Sequence, residues 1–150
     1  MKIIQHQKKW RGKQGGAAAV EFALIAILFF SLLLGILEFG RVLFTWNSAV
    51  EATRYGARVA VVCDIGSAAI VSRMQLIMPD IAAANVAVTY QPAGCVQDTC
   101  ERVKVKVQGL SVTPMIPLLN VTLPVPSSET SLLRESLASS IGGNSNPVCS

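Results

Sequence analysis

Hydrophobic and polar positions divide the chain into three regimes. From Phe22 to Leu37 an uncharged run of 16 residues is apolar except for Ser31 and Gly35. Ala17–Val20 extend it backwards across Glu21. A bilayer core takes roughly 20 mostly apolar residues in helical form, and the run with its preceding alanines reaches that length. As a helix it is apolar on every side, whereas a surface helix of a soluble domain keeps a polar stripe. The pattern therefore predicts a membrane-spanning helix segment over 17–40 in preference to a buried core helix.

The second regime continues the helix to about Val62 as an amphipathic extension. Polar residues fall at Asn47, Glu51, Arg54 and Arg58, and apolar or small ones at Val42, Trp46, Ala49, Thr53, Gly56 and Ala60 on the opposite side. That spacing makes one wet face and one narrow dry face. The dry face beyond Trp46 is built of small residues, so a flat partner can approach closely, and a sheet of the same chain is the expected one. Thr53 is its one polar member, and its hydroxyl can bond back to the helix backbone. Glu38 and Arg41 mark the exit from the apolar run. They are three apart and share a side of the helix, either as a pair or as two charges that solvate the helix end. Phe44 and Trp46 fall where a headgroup layer favours aromatic rings.

The third regime is a mixed α+β stretch. Asp64-Ile65-Gly66-Ser67 breaks the helix and offers Ser67 as an N-cap. Ala68–Met78 then reads as a second helix with Ile70, Met74, Ile77 and Met78 on one side and Pro79 just past its end. Asn85–Gln91 alternates Val86, Val88 and Tyr90, and Arg102–Gln108 alternates Val103, Val105 and Val107 against Arg102, Lys104 and Lys106. Both are half-buried strands with period two, close enough to form a hairpin around loop 92–101. The basic row reads as a solvated face that discourages edge pairing, or else as a docking surface. Pro114, Pro117, Pro124 and Pro126 make 111–127 irregular, with Met115–Leu119 as a short apolar plug over the sheet end. Residues 142–150 form a polar tail, mobile unless tied down. The fold class expected is α+β, a long N-terminal helix packed on a small antiparallel sheet.

Charge changes the picture once it is placed along the chain. The formal net charge is +4, from 13 basic and 9 acidic residues. Five of the basic residues (Lys2, Lys8, Lys9, Arg11 and Lys13) lie in the first 16 positions, which hold no acid; the rest of the chain carries 8 basic against 9 acidic residues. A nucleic-acid partner therefore loses its electrostatic support. Basic flanks stay on the cytoplasmic side, which puts residues 1–16 inside and 41–150 outside.

Four cysteines, Cys63, Cys95, Cys100 and Cys149, all fall on the outer side. In an oxidising compartment an even count reads as disulfides. Three pairings are open. The favoured one closes the short Cys95–Cys100 loop within the hairpin and leaves Cys63 with Cys149, which would pin the tail to the long helix. A zinc site fits poorly, because there is no C-x-x-C pair and the only histidine, His6, lies in the leader. Nothing in the sequence gathers catalytic groups or a phosphate-cradling glycine loop, so the expectation is no enzyme, no metal, no cofactor and no small-molecule substrate.

The leader decides among membrane proteins. An ordinary secretory signal places a small-residue cleavage site after its apolar run. Here that end reads LLLGILEFGRVLFTW, and the small residues precede the run, at Gly15-Gly16-Ala17. The order Gly16, then Ala17-Ala18-Ala19-Val20-Glu21-Phe22, resembles the cleavage region of type IV prepilins and pseudopilins. The longer stretch GGAAAVEFALIAILFFSLLLGILEFGRVLFTWNSAVEATRYGAR resembles the TadE-like family of the tight-adherence (Flp) pilus systems of bacteria. The match is carried by the small residues before Glu21-Phe22, by Leu37-Glu38-Phe39-Gly40-Arg41, and by Ala52–Arg58. Where the Flp major pilin usually has a tyrosine after its glutamate, this chain has Phe22.

The resemblance implies a type IV pilin-like fold and cleavage by a prepilin peptidase between Gly16 and Ala17. It also implies a last strand near Glu129–Ser136. Glu21 would pair with the new amine at Ala17, about one helical turn away, since a carboxylate at a membrane edge needs a partner. The implied protein is a minor pilin or pseudopilin, single-pass in the bacterial inner membrane with a periplasmic head. Its implied partners are other pilin subunits and the pilus assembly platform. Two other accounts are a permanently anchored, uncut periplasmic scaffold and a protein released by ordinary signal peptidase.

Overall fold

The structure, a computed structural model, describes residues 15–115 and 121–150. The leader up to position 14, and the part of the expected 115–119 plug beyond Met115, lie outside the described residues. The long helix α1 spans Gly15–Ala60, 46 residues without a proline. It ends two residues short of Val62, where Val61 N–H still reaches the Ala57 carbonyl and Cys63 N–H the Val59 carbonyl in a closing turn. Contacts divide the chain into residues 1–37 and 38–150. The first unit is described by its one helical segment alone, and the second holds everything else.

In the second unit the helix α2 covers Ala69–Gln75, shorter than the expected 68–78. Its N-cap is Ala68, with no side-chain cap, and not the expected Ser67, whose Oγ accepts the Ala69 N–H at 3.3 Å from one position further out. Past Gln75 the main chain tightens into turns, with Ile77 and Met78 both donating to the Met74 carbonyl. Three strands follow the period-two pattern: β1 (Val86–Gln91), β2 (Arg102–Val107) and, after two short strands, β5 (Ser128–Leu133). They form one antiparallel sheet in the order β1-β2-β5. The pairings Val88↔Val105 and Val105↔Thr130 fix the register. Val86, Val88, Tyr90, Val103, Val105 and Val107 thus share one face, and the three β2 valines are fully buried. A slip of one residue would put every valine in water, so this alternation pins the register.

That face packs on the second half of α1. Ala49, Ala52, Thr53, Ala57 and Ala60 are fully buried there, in one core with Ile70, Met74, Ile81 and Leu137. Asn47, Glu51, Arg54 and Arg58 are exposed, so the wet and dry faces divide along the expected line from Ala49 onward. Small residues let the layers close. A Cβ built on Gly56 would lie 2.5 Å from Met74 Sδ and 2.8 Å from its Cγ, so α2 sits against α1 only because Gly56 has no side chain. Thr53 Oγ1 donates to the Ala49 carbonyl at 2.6 Å and meets Ser128 Oγ at 2.8 Å. Both polar atoms that the interface buries are thereby satisfied.

Two regions expected to be irregular or loose carry structure. Within 111–127, β3 (Ser111–Val112) pairs with β4 (Leu123–Pro124). In the tail, β6 (Ser140–Ile141) and β7 (Asn144–Ser145) form a hairpin. Its two-residue turn is Gly142-Gly143, with φ of +59° and +84°, the positive-φ pair that a tight hairpin turn requires. The tail is also held by chemistry. Cys149 is bonded to Cys63, and Cys95 to Cys100. Around Cys149 the Arg73 guanidinium donates to the carbonyls of Pro147, Val148 and Ser150 at 2.7, 3.1 and 3.1 Å. The result is an α+β fold in which a long N-terminal helix packs on a small antiparallel sheet.

Candidate functional site

The residues expected to carry function lie mostly on α1. Its first part carries large apolar side chains that are exposed among the described residues. Phe22 is 73% exposed, and Leu24, Ile25, Ile27, Leu28, Phe29 and Phe30 are all exposed as well. Ser31, the one hydroxyl in the run, donates to the Leu28 carbonyl at 2.9 Å. A helix satisfies its backbone internally, so with Ser31 closed on itself this surface asks nothing of water. Among the described helices, α1 is the one long and apolar enough to cross a membrane. Gly16, Ala17, Glu21 and Phe22 all sit on it, exposed. A Cβ on Gly16 would meet nothing within 4 Å, so packing does not account for the glycine.

Glu38 and Arg41 are drawn together and into the rest of the second unit. Arg41 Nη1 donates to Glu38 Oε2 at 2.9 Å, with the glutamate side chain 12% exposed and the arginine 41%. The other carboxylate oxygen accepts the Met115 N–H at 2.7 Å, and Arg41 reaches the Thr113 carbonyl at 3.4 Å. Of the two readings open for these residues, the structure has the pair, and the pair fastens the loop after β3 to the helix. Sequence reasoning missed the loop's part in this, because its partners are main-chain atoms without a side-chain signature. Beside this staple lie two shallow grooves of about 230 Å³ each. One is lined by Arg41, Thr45, Asp80 and Thr113 and the other by Phe44, Ser48, Ile77 and Pro79.

On the outer face of the sheet, Lys104 Nζ lies 2.8 Å from Glu129 Oε1 across the β2–β5 pair. The hydrogen bond from Lys104, helped by the nearby charges of Lys104 and Lys106, holds the Glu129 carboxyl below its usual range. Burial pushes the Tyr90 hydroxyl up, and a hydrogen bond from the Gly66 N–H at 3.3 Å partly offsets that. Neither group stands in a cleft with a second reactive side chain, so the shifts read as structural ones. Among the described residues no three of His, Cys, Asp and Glu are gathered as a metal site would need.

Comparison with curated proteins found no significant match, and comparison with solved structures found none. The family model described as TadE-like protein matches residues 16–58, from the glycine before the apolar run to Arg58 near the end of α1. Over those residues the chain is similar to TadE-like proteins, a likeness that points to the tight-adherence pilus system broadly.

Proposed function

We propose that the protein is a minor pilin or pseudopilin of the tight-adherence pilus system, acting by interaction and without catalysis. The leader, residues 1–16, is cut after Gly16 by a prepilin peptidase on the cytoplasmic side. The mature chain begins at Ala17, and Glu21 pairs with the new amine. The apolar segment stands in the bacterial inner membrane, and residues 41–150 form a periplasmic head. Other pilin subunits and the assembly platform pack on the apolar helix and touch the head.

The observation that carries this reading is the bare apolar half of α1, inside a TadE-like match that starts at Gly16. A helix of large exposed apolar side chains needs lipid or other helices around it. In lipid, packing contacts rather than the hydrophobic effect bring helices together. The periplasm admits disulfides, which suits the two bonds of the head.

The test is the N-terminal sequence of the protein purified from membranes of its own host. A start at Ala17 with the apolar run still attached is expected. A start at Met1 would leave an uncut, membrane-anchored periplasmic scaffold as the better account. Glu21→Ala is expected to leave membrane insertion intact and to lower recovery with partner subunits; unchanged recovery removes the assembly role of Glu21.

A further inference from the structure

The end of α1 and the tail are held together by contacts that involve no sulfur. The Glu135 and Leu137 N–H groups donate to the Val61 carbonyl at 3.2 and 3.1 Å, and the Ala138 N–H donates to the Val62 carbonyl at 3.1 Å. The Ser136 hydroxyl donates to the Val62 carbonyl as well, at 3.1 Å. These carbonyls belong to the closing turn of the helix, where intrahelical donors run out. On the other side of Cys63, Asp64 and Ser139 bond reciprocally. The Ser139 N–H donates to Asp64 Oδ1 at 2.9 Å, and the Asp64 N–H donates to Ser139 Oγ at 3.1 Å. Cys63, fully buried, is thereby fixed through the residues on both sides of it. The β6–β7 hairpin then turns the chain back, and the Asn146 N–H donates to the Ser139 carbonyl at 2.8 Å. Cys149 stands three positions past Asn146.

Arg73 holds those last positions. Its Nη2 donates to the Pro147 and Ser150 carbonyls, and its Nε donates to the Val148 carbonyl. Cys149 lies between the carbonyls it grips. A guanidinium is a rigid fork of donors, so three carbonyls around one such group fix the orientation of the segment, which a single sulfur bridge does not. Along the chain the two cysteines are 86 residues apart, and closing so long a loop from an open chain is entropically costly. With Ser139 bonded to Asp64, and Asn146 to Ser139, only a few residues remain to be closed. One hydrogen bond to a charged group shifts such a closed-to-open ratio by about tenfold or more.

We propose that residues 140–150 are a strap that closes on Arg73 first and is locked by sulfur afterwards, with Arg73 the positioning residue that selects Cys63 as the partner of Cys149. The locking step is thiol–disulfide exchange with a small disulfide donor of the glutathione type. The half-buried Cys149 meets the donor before the fully buried Cys63 does. Its thiolate attacks the donor, forms a mixed disulfide and releases one thiol. The Cys63 thiolate then attacks the Cys149 sulfur, forms the bond within the protein and expels the second thiol. Two electrons pass from the cysteines to the donor, and their two protons end on the two released thiols. Cys95 and Cys100, 5 residues apart, close their own short loop without this help.

The experiment reduces the full chain in detergent micelles, without denaturant, and then adds oxidised glutathione. Free thiols are alkylated at intervals, and mass spectrometry of proteolytic peptides follows the two bonds separately. Arg73→Gln is expected to slow formation of the Cys63–Cys149 bond about tenfold, with Cys149 accumulating as its glutathione mixed disulfide and the Cys95–Cys100 rate unchanged. Arg73→Lys, a point charge in place of the fork, is expected to fall in between. Equal Cys63–Cys149 rates in the parent and in Arg73→Gln overturn the proposal. So does an equal slowing of both bonds, which would make Arg73 a support of the whole fold. A second measurement asks whether the strap closes without sulfur. In the fully reduced parent, nuclear magnetic resonance is expected to show the Arg73 Nε–H exchanging with water about tenfold or more slowly than in free arginine, as its hydrogen bond to the Val148 carbonyl requires. Exchange as fast as in free arginine would mean that the strap closes only once it is bonded, and overturns the order of events.

Discussion

The two halves of α1 treat size and burial in opposite ways. Between residues 20 and 37 most side chains are large and apolar, and nearly all are exposed; between 49 and 60 the buried ones are alanines, a threonine, a glycine and a valine. If burial within the chain were the organising force throughout, the large residues would be inside. What decides is the partner. The second half has its partner in the same chain, a sheet and a short helix that come close only because the dry face is small. The first half keeps its large apolar side chains exposed among the described residues, as a helix surrounded by lipid or other helices would.

A charge separates the two most sharply. Replacing Leu28 by lysine near the middle of the apolar run is expected to cost about 3 kcal/mol or more in insertion. The insertion equilibrium constant should fall more than tenfold, lowering the inserted fraction, while the disulfides and fold of the head stay intact. Membrane fractionation beside a protease-resistance assay of the head measures both. Full retention of the variant would break the comparison.

The glycines come next. Gly56→Ala drives a Cβ into Met74, which is fully buried, and overpacking of this kind costs about 1–3 kcal/mol. Gly35→Ala meets nothing within 4 Å and should leave head unfolding unchanged. Equal midpoints for the two variants in denaturant titrations would mean that the second half is no more closely packed than the first. Thr53→Val tests the buried polar contact. It removes the partner of Ser128 Oγ at 2.8 Å while Ser128 keeps the Ala49 carbonyl at 3.3 Å, so a loss of about 1 kcal/mol is expected. The same titration reads it, and an unchanged midpoint would show that the hydroxyl pair adds nothing to packing.

The smallest effect lies on the outer face of the sheet. The Glu129 carboxyl is lowered from a usual value near 4.5. Its contribution is therefore present above the unfolded value and is lost as pH falls through the lowered folded one. The side chain is about half exposed, so solvent screens much of the interaction. Glu129→Gln should lower the melting temperature slightly at neutral pH and match the parent in strong acid. A gap that widens as the pH falls would reverse the assignment.

Much of the head was legible because its signals are periodic. Val103, Val105 and Val107 alternate with charges, and one buried face is the simplest cause. The polar spacing of Asn47, Glu51, Arg54 and Arg58 located the dry face of α1 for the same reason. What stayed hidden depends on contacts between distant segments. Ser111–Val112 and Leu123–Pro124 pair over two residues each, too few to leave an alternation, and the prolines around them argue for irregularity. Arg73 looks like an ordinary charge in a helix, yet it grips three tail carbonyls. The apolar spacing predicts a second helix that runs three residues past Gln75 and starts one before Ala69, because Ile77 and Met78 keep that spacing after the hydrogen bonds have turned. At the Glu38–Arg41 staple the sequence marks the two charges, and the main-chain groups they hold have no signature at all.

The Cys63–Cys149 bond has a mechanical consequence. It joins positions 86 residues apart, at the end of α1 and in the tail. A pull applied between α1 and residue 150 runs along the helix and straight through the sulfur bridge. Residues 64–148, which include the whole sheet, then bear none of the load. About 280 Å of extended chain, at about 3.3 Å per residue, is kept out of the line of tension. Reduce that one bond and the same pull has to be resisted by Arg73 and the strand pairings instead.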